Sequence, residues 1–577
     1  MKRLIVLIIL LSILTIGFSA PAERIFVGAW PYDMPPVGHF NTFVSRAILV
    51  GGIYYELLHQ PLAFYYWASG KYEPVLATSW RLEPTNKPEW FIINLRKGVK
   101  WSNGQEFTSK DVVATYYIGY LMNWPVWRYI DKVEASGKYT VKFHMNNPSS
   151  VVPRYILRTY VVRDYGTYGE FADKVMALLS AGKTRDSDEM KKLRADFEQY
   201  RPKNIVSSGP FVLDVGKMTE AEIVLVRNPY YWNQEAIQFD KVRLVNGETP
   251  TVTPMVLAKE VDYATHGFPP ATEKQFVETG IRIIRPPIYS GPAIYVNHNI
   301  YPLNRVEVRQ AMAYAVNRDE NGFVSLGKSG VGVKLMAGFS DNLVPLWISS
   351  ADQKKLNKYE YNPKKAEEIL LGIGFKRDKD GVWLDDKGKR MEYELIVPAE
   401  YADWSAAAEN AAVQLTKFGI KVTVRGVTYA QVPQEAEQGR FQLLIQAWGS
   451  AHPHPHFSFY QDLVRFNYPL GVGPGMNFQM KQKTKVVGEV DLDKLITDSA
   501  VGFDTGLQKK YIKNLALAFN ELLPIIPLWE RYGNNPALEG IRVTGWPPEG
   551  DPIYKNSPYS DNFVIIMLTK GILKPVK

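Results

Sequence analysis

The hydrophobic pattern along the chain predicts strands and helices in alternation. Residues 25–29 form a short apolar run typical of a buried strand, and the next segment, 30–40, is too rich in Pro and Gly to be regular. A capping-box pattern at 108–111 predicts the start of a helix. Residues 405–418 have helical spacing and end before a glycine, and residues 420–424 then alternate as a strand. Helices followed by strands indicate α/β layers.

Residues 1–22 have the composition of a secretory signal. Met1-Lys2-Arg3 is basic, residues 4–16 are almost wholly apolar, and Ala20 and Ala22 are the small residues at alternate positions that signal peptidase requires. The apolar run is shorter than the roughly 18–20 residues that span a bilayer. We therefore expect cleavage after Ala22 and a secreted or periplasmic protein that is soluble after cleavage. A retained anchor is the alternative.

The absence of cysteine excludes several functional classes. The 577 residues contain no Cys, which rules out disulfide-stapled modules, thiolate metal sites, cysteine nucleophiles and a lipid anchor on cysteine. The formal net charge is +9, but Lys and Arg are interleaved with Asp and Glu along the whole chain. A nucleic-acid-binding protein is expected to concentrate its positive charge in a stripe or arm, so nucleic acid is not predicted as a partner.

Motifs of the common enzyme classes are missing from the sequence. It has no His-Glu-x-x-His, Gly-x-Ser-x-Gly or dinucleotide-binding pattern. Gly182-Lys183-Thr184 matches the end of a P-loop, but Ala177 stands where the first glycine of that motif belongs. We therefore predict no cofactor and no catalytic residues. A carbohydrate-active enzyme is the alternative from another class, because such an enzyme needs only two carboxylates.

Seven segments, in order along the chain, resemble one protein family. They include the Ser-Gly-Pro-Phe and Asn-Pro-Tyr-Tyr-Trp motifs and lie at residues 74–80, 95–112, 208–211, 227–232, 309–318, 361–366 and 524–528. Together they resemble the extracellular solute-binding proteins of ABC importers known as family 5, the oligopeptide and nickel type. The resemblance covers nearly the whole chain after residue 22.

This resemblance implies a fold and a partner. The fold is α/β, a two-lobed clamshell of the class II periplasmic-binding-protein type with an extra inserted domain, and the partner is the membrane permease of an ABC transporter. By analogy, domain I would comprise residues 23–62, 203–286 and 527–577, domain II would be the insertion at 63–202, and domain III would be 287–526. The hinge would lie near Pro286-Pro287 and Pro527, and we expect a monomer.

The segment after Trp448 bears on the ligand. Peptide-binding relatives place an acidic residue shortly after a Trp that ends a strand in domain III, where it pairs with the α-amino group of the peptide. Here no acid follows Trp448 until Asp462, and a buried ammonium without a partner is costly. The chain is rich in Tyr and Trp, whose flat faces suit sugars, and in this it resembles family members that bind β-linked gluco- or manno-oligosaccharides. We therefore expect an oligosaccharide, with a peptide as the alternative.

Positions near the expected cleft give candidate ligand-binding residues. The candidate stacking platforms are Trp30, Tyr32, Phe268, Tyr289 and Trp448, and the candidate hydroxyl partners are His39, Asn41, His452, His454 and Asn477. For each aromatic residue, filling of the core is the alternative.

A histidine-rich segment raises the possibility of a metal. His452, His454 and His456 would share one face of an extended segment and could bind a metal or metal chelate. Pro separates each pair, and no acid lies beside them to complete a ligand set. Hydrogen bonding to ligand hydroxyls is therefore preferred, and no metal site is predicted.

Overall fold

The computed structural model describes residues 23–30, 38–467 and 473–576. The predicted signal segment, 1–22, and the candidate Tyr32 lie outside the described residues. Among the residues that are described, no helix is both long enough and apolar enough to cross a membrane.

The strand predicted at the first apolar run is confirmed and lies inside a mixed sheet. Ile25–Ala29 pairs in parallel with Lys241–Val245 on one side and with Tyr263–Ala264 on the other. A strand with neighbours on both edges and layers on both faces needs apolar side chains throughout, which explains the unbroken apolar run. In spatial order, the strands of this sheet in the described chain are Arg282–Ile284, Asn535–Ala537, Tyr263–Ala264, Ile25–Ala29, Lys241–Val245, Glu222–Arg227 and Phe211–Leu213.

A second, antiparallel sheet packs beside the first. Its described strands are, in spatial order, Ala77–Glu83, Trp90–Leu95, Thr140–His144 and Lys132–Gly137. Helix Ser109–Leu121 begins at the predicted capping box: the Asp111 carboxylate accepts from the Thr108 N–H at 2.7 Å, and the Thr108 hydroxyl accepts from the Lys110 N–H at 3.3 Å. These two sheets and their helices form what we call the first lobe.

A third sheet forms the centre of the second lobe. Its described strands are, in spatial order, Lys421–Val427, Glu392–Pro398, Leu443–Gly449, Ser290–Val296 and Ile525–Pro527. The predicted helix and following strand are confirmed as Ala402–Phe418 and Lys421–Val427. Gly419 ends the helix with a φ of 100°, a left-handed conformation that favours glycine.

Helices cover the sheets, and short two-stranded pairs lie on both lobes. The remaining helices of seven or more residues are Tyr165–Ser180, Asp188–Gln199, Thr249–Leu257, Pro270–Glu278, Val306–Ala315, Arg318–Leu326, Pro363–Gly372, Leu492–Asp498, Thr505–Leu522 and Phe563–Thr569. Paired short strands are Ala63–Tyr66 with Lys71–Pro74, Gly330–Gly332 with Trp529–Arg531, Lys376–Arg377 with Trp383–Leu384, Lys481–Thr484 with Gly488–Asp491, and Val543–Thr544 with Lys574–Pro575.

The chain passes between the lobes along two adjacent segments. Pro287 forms an antiparallel bridge with Tyr532, and the Gly533 N–H donates to the Pro286 carbonyl at 2.8 Å. The first crossing runs through Pro286 and Pro287. The second follows Trp529–Arg531, which still pairs with Gly330–Gly332 of the second lobe. The predicted hinge at Pro286-Pro287 and Pro527 and the predicted three-domain boundaries stay predictions.

A buried charge cluster attaches the C-terminal segment to the first lobe. Asp561 is fully buried, and its carboxylate accepts from Arg154 at 2.8 and 2.9 Å, from Arg158 Nε at 2.8 Å and from Trp67 Nε1 at 2.6 Å. Both arginines are also buried. Arg158 also donates to the Glu56 carboxylate at 2.6 Å, so Asp561 is shared by both arginines and is the one carboxylate that the described residues place on Arg154.

We expect Asp561→Asn to destabilise the protein strongly, because it leaves the buried Arg154 without an anion and removes one of the two anions of Arg158. The free energy of unfolding should fall by about 3–5 kcal/mol. The matched control is Asp240→Asn, which removes an exposed partner of Arg24 and should cost less than about 1 kcal/mol. Urea unfolding of both variants measures the difference, and equal losses would contradict the assignment.

Candidate functional site

Two adjoining cavities lie between the lobes. The larger has a volume of about 1270 Å³, and the smaller about 270 Å³. Trp124 lines the larger cavity and Tyr160 the smaller, and their rings stack at 3.8 Å with an interplanar angle of 5°. One pair of stacked aromatic rings therefore lies between the two cavities, which we together call the cleft.

Trp30 lies at the end of the cleft nearest the hinge. It follows strand Ile25–Ala29 and is half-buried. Its ring is 5.5 Å from that of Tyr559, which lines the smaller cavity, and 6.4 Å from that of His266. A Cβ on Gly52, another residue that lines this cavity, would lie 2.7 Å from the Trp30 Nε1. Trp30 therefore lies next to residues that line the smaller cavity, and its role in binding a ligand stays a prediction.

Beside Trp30, four buried polar atoms lack a hydrogen-bond partner among the described residues. They are Thr265 Oγ1, His266 Nδ1, Asp403 Oδ2 and Arg531 Nε. We call these four residues the unpaired cluster. Most buried polar groups in folded proteins are hydrogen-bonded, and each exception calls for an explanation. Several exceptions in one place indicate a site that binds polar groups.

The unpaired cluster draws its members from both lobes and from the hinge. The Arg531 Nη2 donates to the Thr265 carbonyl at 2.8 Å, and its Nη1 lies 3.7 Å from the Asp403 carboxylate. The Tyr559 hydroxyl donates to the same Thr265 carbonyl at 2.8 Å. Asp403 comes from the second lobe and packs against Gly267 of the first, where an added Cβ would lie 2.4 Å from the Asp403 Cγ. Lobe closure therefore assembles the cluster.

Burial shifts the pKa values of the ionisable groups here. Burial, together with the nearby Asp403, raises the pKa of Glu248 to about 8, and burial also raises the pKa of Asp403. Burial lowers the pKa of His266 to about 4, while its Nε2 stays bonded to the Gly247 carbonyl at 2.8 Å. Near neutral pH the His266 ring is therefore neutral, and its free Nδ1 is an acceptor.

Two of the predicted site residues line the cavities, and Trp30 lies next to residues that line the smaller one. His39 lines the larger cavity, where its Nε2 is 2.9 Å from the Ser45 carbonyl. His452 lines the smaller cavity, and its Nδ1 accepts from Arg154 Nε at 2.9 Å. This last bond joins the second lobe to the first.

Three other predicted site residues are buried in the structure, which corrects the expectation that they face a ligand. Phe268 and Trp448 are each fully buried; Phe268 packs on Phe276 at 5.0 Å, and the Trp448 Nε1 donates to the Trp529 carbonyl at 3.3 Å. Asn41 is also fully buried, and its Nδ2 donates to two backbone carbonyls near the end of helix Asp188–Gln199. The rings of Phe268 and Trp448 fill hydrophobic cores, and the Asn41 amide holds its own loop against the end of that helix.

Tyr289 and Asn477 have structural partners away from the unpaired cluster. Tyr289 stacks on Trp67 at 4.1 Å with an interplanar angle of 8°, and its hydroxyl donates to the Lys555 carbonyl at 3.0 Å. Tyr289 therefore joins the lobes through its contacts with Trp67 and Lys555, and its ring face is not open to a ligand. Asn477 has a φ of 51° and donates to the side chain of Asn299.

The three clustered histidines do not share one face. His454 packs on Trp347 at 4.4 Å, while His456 is fully buried with its Nε2 3.1 Å from the Tyr155 hydroxyl. The positive charge of Arg154 beside His452 also disfavours a cation there. Across the described ranges, no group of three His, Cys, Asp or Glu residues is placed to hold a metal ion.

Sequence reasoning missed all four residues of the unpaired cluster. Arg531 could have been noticed because it precedes the hinge crossing, where a charged side chain faces both lobes. Thr265 and His266 are adjacent, but they are far from Asp403 in the sequence, and none of the three belongs to a motif.

Comparisons with known proteins agree with this architecture. Residues 71–468 match the model of the bacterial extracellular solute-binding proteins, family 5 middle region. A probable ABC transporter-binding protein of Deinococcus radiodurans is 24% identical over 63% of each chain, and the oligopeptide-binding protein AppA of Bacillus subtilis is 22% identical over 65% of this chain and 66% of its own. The chain thus spans slightly less than two thirds of the length of these two relatives. The nickel-binding periplasmic protein of Escherichia coli is 22% identical over 76% of this chain and 78% of its own.

Solved structures share the fold over nearly the whole chain. A Thermotoga maritima periplasmic oligopeptide-binding protein with bound mannohexaose has a TM-score of 0.76 at 20% identity, covering 96% of this chain and 99% of that one. Bacillus subtilis AppA with a nonapeptide has a TM-score of 0.73 at 18% identity, covering 96% and 100%. The predicted fold class, a mixed α/β periplasmic-binding-protein fold with an additional domain, is confirmed.

We expect Trp448→Ala to lower stability, because the substitution empties a fully buried site. The free energy of unfolding should fall by about 3–5 kcal/mol in a urea titration. Trp448→Phe, which keeps most of the apolar volume, is the control and should lose less. A change below about 1 kcal/mol for Trp448→Ala would contradict the buried position.

Glu248 should make stability depend on pH. Its folded-state pKa of about 8 lies above the ordinary value of 4.5, so the folded state binds more protons between these values and stability falls as pH rises from about 4.5 to about 8. Glu248→Gln should flatten that part of the profile, measured as the free energy of unfolding at several pH values. The control is Glu83→Gln, the same substitution at an exposed glutamate. An unchanged slope in Glu248→Gln would contradict the assignment.

Proposed function

This chain belongs to the bacterial extracellular solute-binding proteins of family 5, and we propose that it captures an oligosaccharide between its lobes for delivery to the permease of an ABC importer. The family consists of binding proteins rather than enzymes. The observation that carries the proposal is the half-buried ring of Trp30 beside the unpaired cluster, which combines atoms from both lobes.

A sugar matches the chemistry at this end of the cleft. Its C–H faces stack on aromatic rings, and its hydroxyls both donate and accept. The Arg531 Nε needs an acceptor, whereas the His266 Nδ1 needs a donor when the ring is neutral. A hydroxyl-bearing ligand supplies both kinds of partner without bringing a charge. Such a ligand also offsets the cost of the buried polar atoms, about 1–3 kcal/mol for each one left unpaired.

The acid after Trp448 supports a sugar over a peptide. Asp462, the first acid in that direction, is fully buried, and its Oδ1 accepts from the Gly449 N–H at 2.8 Å. Burial raises the pKa of Asp462 well above its ordinary range. An acid held neutral inside the second lobe does not supply the negative charge that an α-amino group would need.

The shape of the cleft favours an oligomer over a single sugar. The larger cavity, about 1270 Å³, exceeds the roughly 300–1,000 Å³ of sites for drug-sized molecules. A ligand that extends from Trp30 past the Trp124–Tyr160 stack would contact both lobes along its length. It would favour the closed form by its greater affinity for that form. The relative with bound mannohexaose is consistent with this proposal.

A peptide is the second candidate function. Glu248 and Asp403 are two carboxyl groups close enough to interact electrostatically, and together they could receive an amino group in place of the missing acid. Arg531, 3.7 Å from Asp403, opposes this by its own positive charge. Relatives that bind peptides, such as AppA, make it the comparison to test.

We expect Trp30→Ala to weaken oligosaccharide binding at least tenfold, because it removes the stacking face. Titration calorimetry of residues 23–577 with mannohexaose and cellohexaose measures the affinity, and a short-peptide mixture and Ni²⁺ complete the panel. Trp80→Ala, a half-buried tryptophan of the second sheet, is the matched control and should bind like the wild type. Binding of peptide or nickel with no binding of any sugar would overturn the proposal.

A further inference from the structure

The larger cavity brings together arginines from both lobes. Arg128 and Arg185 belong to the first lobe, Arg465 to the second, and all three line this cavity with Tyr460. The Arg128 guanidinium lies 5.2 Å from the centre of the Tyr460 ring. Burial raises the pKa of Tyr460, and the positive charges of the three arginines each oppose that rise. The three cations therefore converge on one region.

Their polar partners are mostly uncharged. Arg128 is paired with Asp493 at 3.0 Å, but Arg465 donates to the Gln461 amide oxygen at 3.1 Å and Arg185 to that of Asn123. In the part of the chain that the structure describes, no carboxylate lies within 4.0 Å of Arg185 or Arg465, and the buried Arg185 Nε has no hydrogen-bond partner. Two guanidinium groups thus face the cavity without an anion.

The acids that also line this cavity do not balance these charges. Asp493 is ion-paired with Arg128. Asp491 accepts a hydrogen bond from the Lys494 N–H at 3.1 Å, at the start of helix Leu492–Asp498. Burial raises the pKa of Glu437, against the influence of Arg465. Glu198 is the remaining lining acid among the described residues, whereas Arg201 and Lys481 add further positive charge to the lining of the cavity.

The contact between the lobes places like charges near one another. Arg465 of the second lobe lines the same cavity as Arg128 and Arg185 of the first, so the three cations repel one another where water is partly excluded. A carboxylate between them would turn that repulsion into attraction. Guanidinium groups bind carboxylates through two parallel N–H···O bonds, which adds geometric specificity to the charge.

We propose that the ligand is an acidic oligosaccharide, one with hexuronate units, and that Arg185 and Arg465 bind a carboxylate of it from opposite lobes. The proposal rests on the function proposed above and adds the charge of the ligand. The neutral hydroxyls of the same oligomer would occupy the Trp30 end of the cleft, and the carboxylate the arginine-rich end.

Titration calorimetry with tetragalacturonate and its methyl ester tests the charge alone, because the two probes share size and linkage. We expect the acid to bind the wild type at least tenfold more tightly than the ester. We call this ratio of affinities the margin, and it should shrink as salt is added. Arg185→Gln and Arg465→Gln should each reduce that margin at least tenfold while leaving the affinity for the ester unchanged. Arg465→Lys keeps the positive charge but lacks the two parallel N–H donors of a guanidinium. It should therefore keep more of the margin than Arg465→Gln does.

Arg425→Gln is the matched control, since Arg425 is an exposed arginine of the second lobe paired with Glu394 at 2.9 Å. It should leave the margin unchanged, and melting temperatures confirm that every variant is folded. Equal binding of acid and ester would overturn this inference and leave the oligosaccharide proposal standing. Failure of these probes, mannohexaose and cellohexaose to bind would overturn both. Preference for an acidic peptide, such as tetra-aspartate, would also overturn both.

Discussion

The pairing of the two crossing segments is the constraint on which the cleft depends. The Ile288 N–H donates to the Arg531 carbonyl at 3.0 Å, and the Gly533 N–H donates to the Pro286 carbonyl at 2.8 Å. These bonds fix the backbone of residue 531 at the base of the cleft. Its side chain can then reach the Thr265 carbonyl of the first lobe and Asp403 of the second. A looser hinge would not hold one guanidinium against both lobes.

The interface between the lobes differs from one part to another. Phe457 and Ala500, from the second lobe, belong to the hydrophobic core of the first, and the Ser150 N–H donates to the Gly502 carbonyl at 3.0 Å. This part of the interface is packed and internally paired. The part around Trp30 and the two cavities keeps unpaired polar atoms and open volume. Direct contact therefore stabilises closure on one side, and the other side is where we propose that the ligand binds.

Unpaired polar atoms and gathered cations are both costly in isolation. Two extended apolar cores, one in each lobe, hold the elements that carry them. Because these costs fall when a ligand pairs the groups, its binding energy is coupled directly to closure. The neutral and cationic ends of the cleft would then bind different parts of one oligomer.

The sequence by itself determined the local elements and the family. Strand Ile25–Ala29, the capping box at Thr108 and the end of a helix at Gly419 follow from short-range rules of period, capping and backbone conformation, which depend on a few neighbouring residues. The position of Trp30 after the first strand made it a candidate ligand-binding residue, which stays a prediction. The same reasoning could not tell Trp30 from Phe268 and Trp448, because the burial of a ring depends on residues that are distant in the chain. Only the tertiary structure brought Thr265, Asp403 and Arg531 together, since their approach is set by how two lobes and a hinge pack and not by any local pattern.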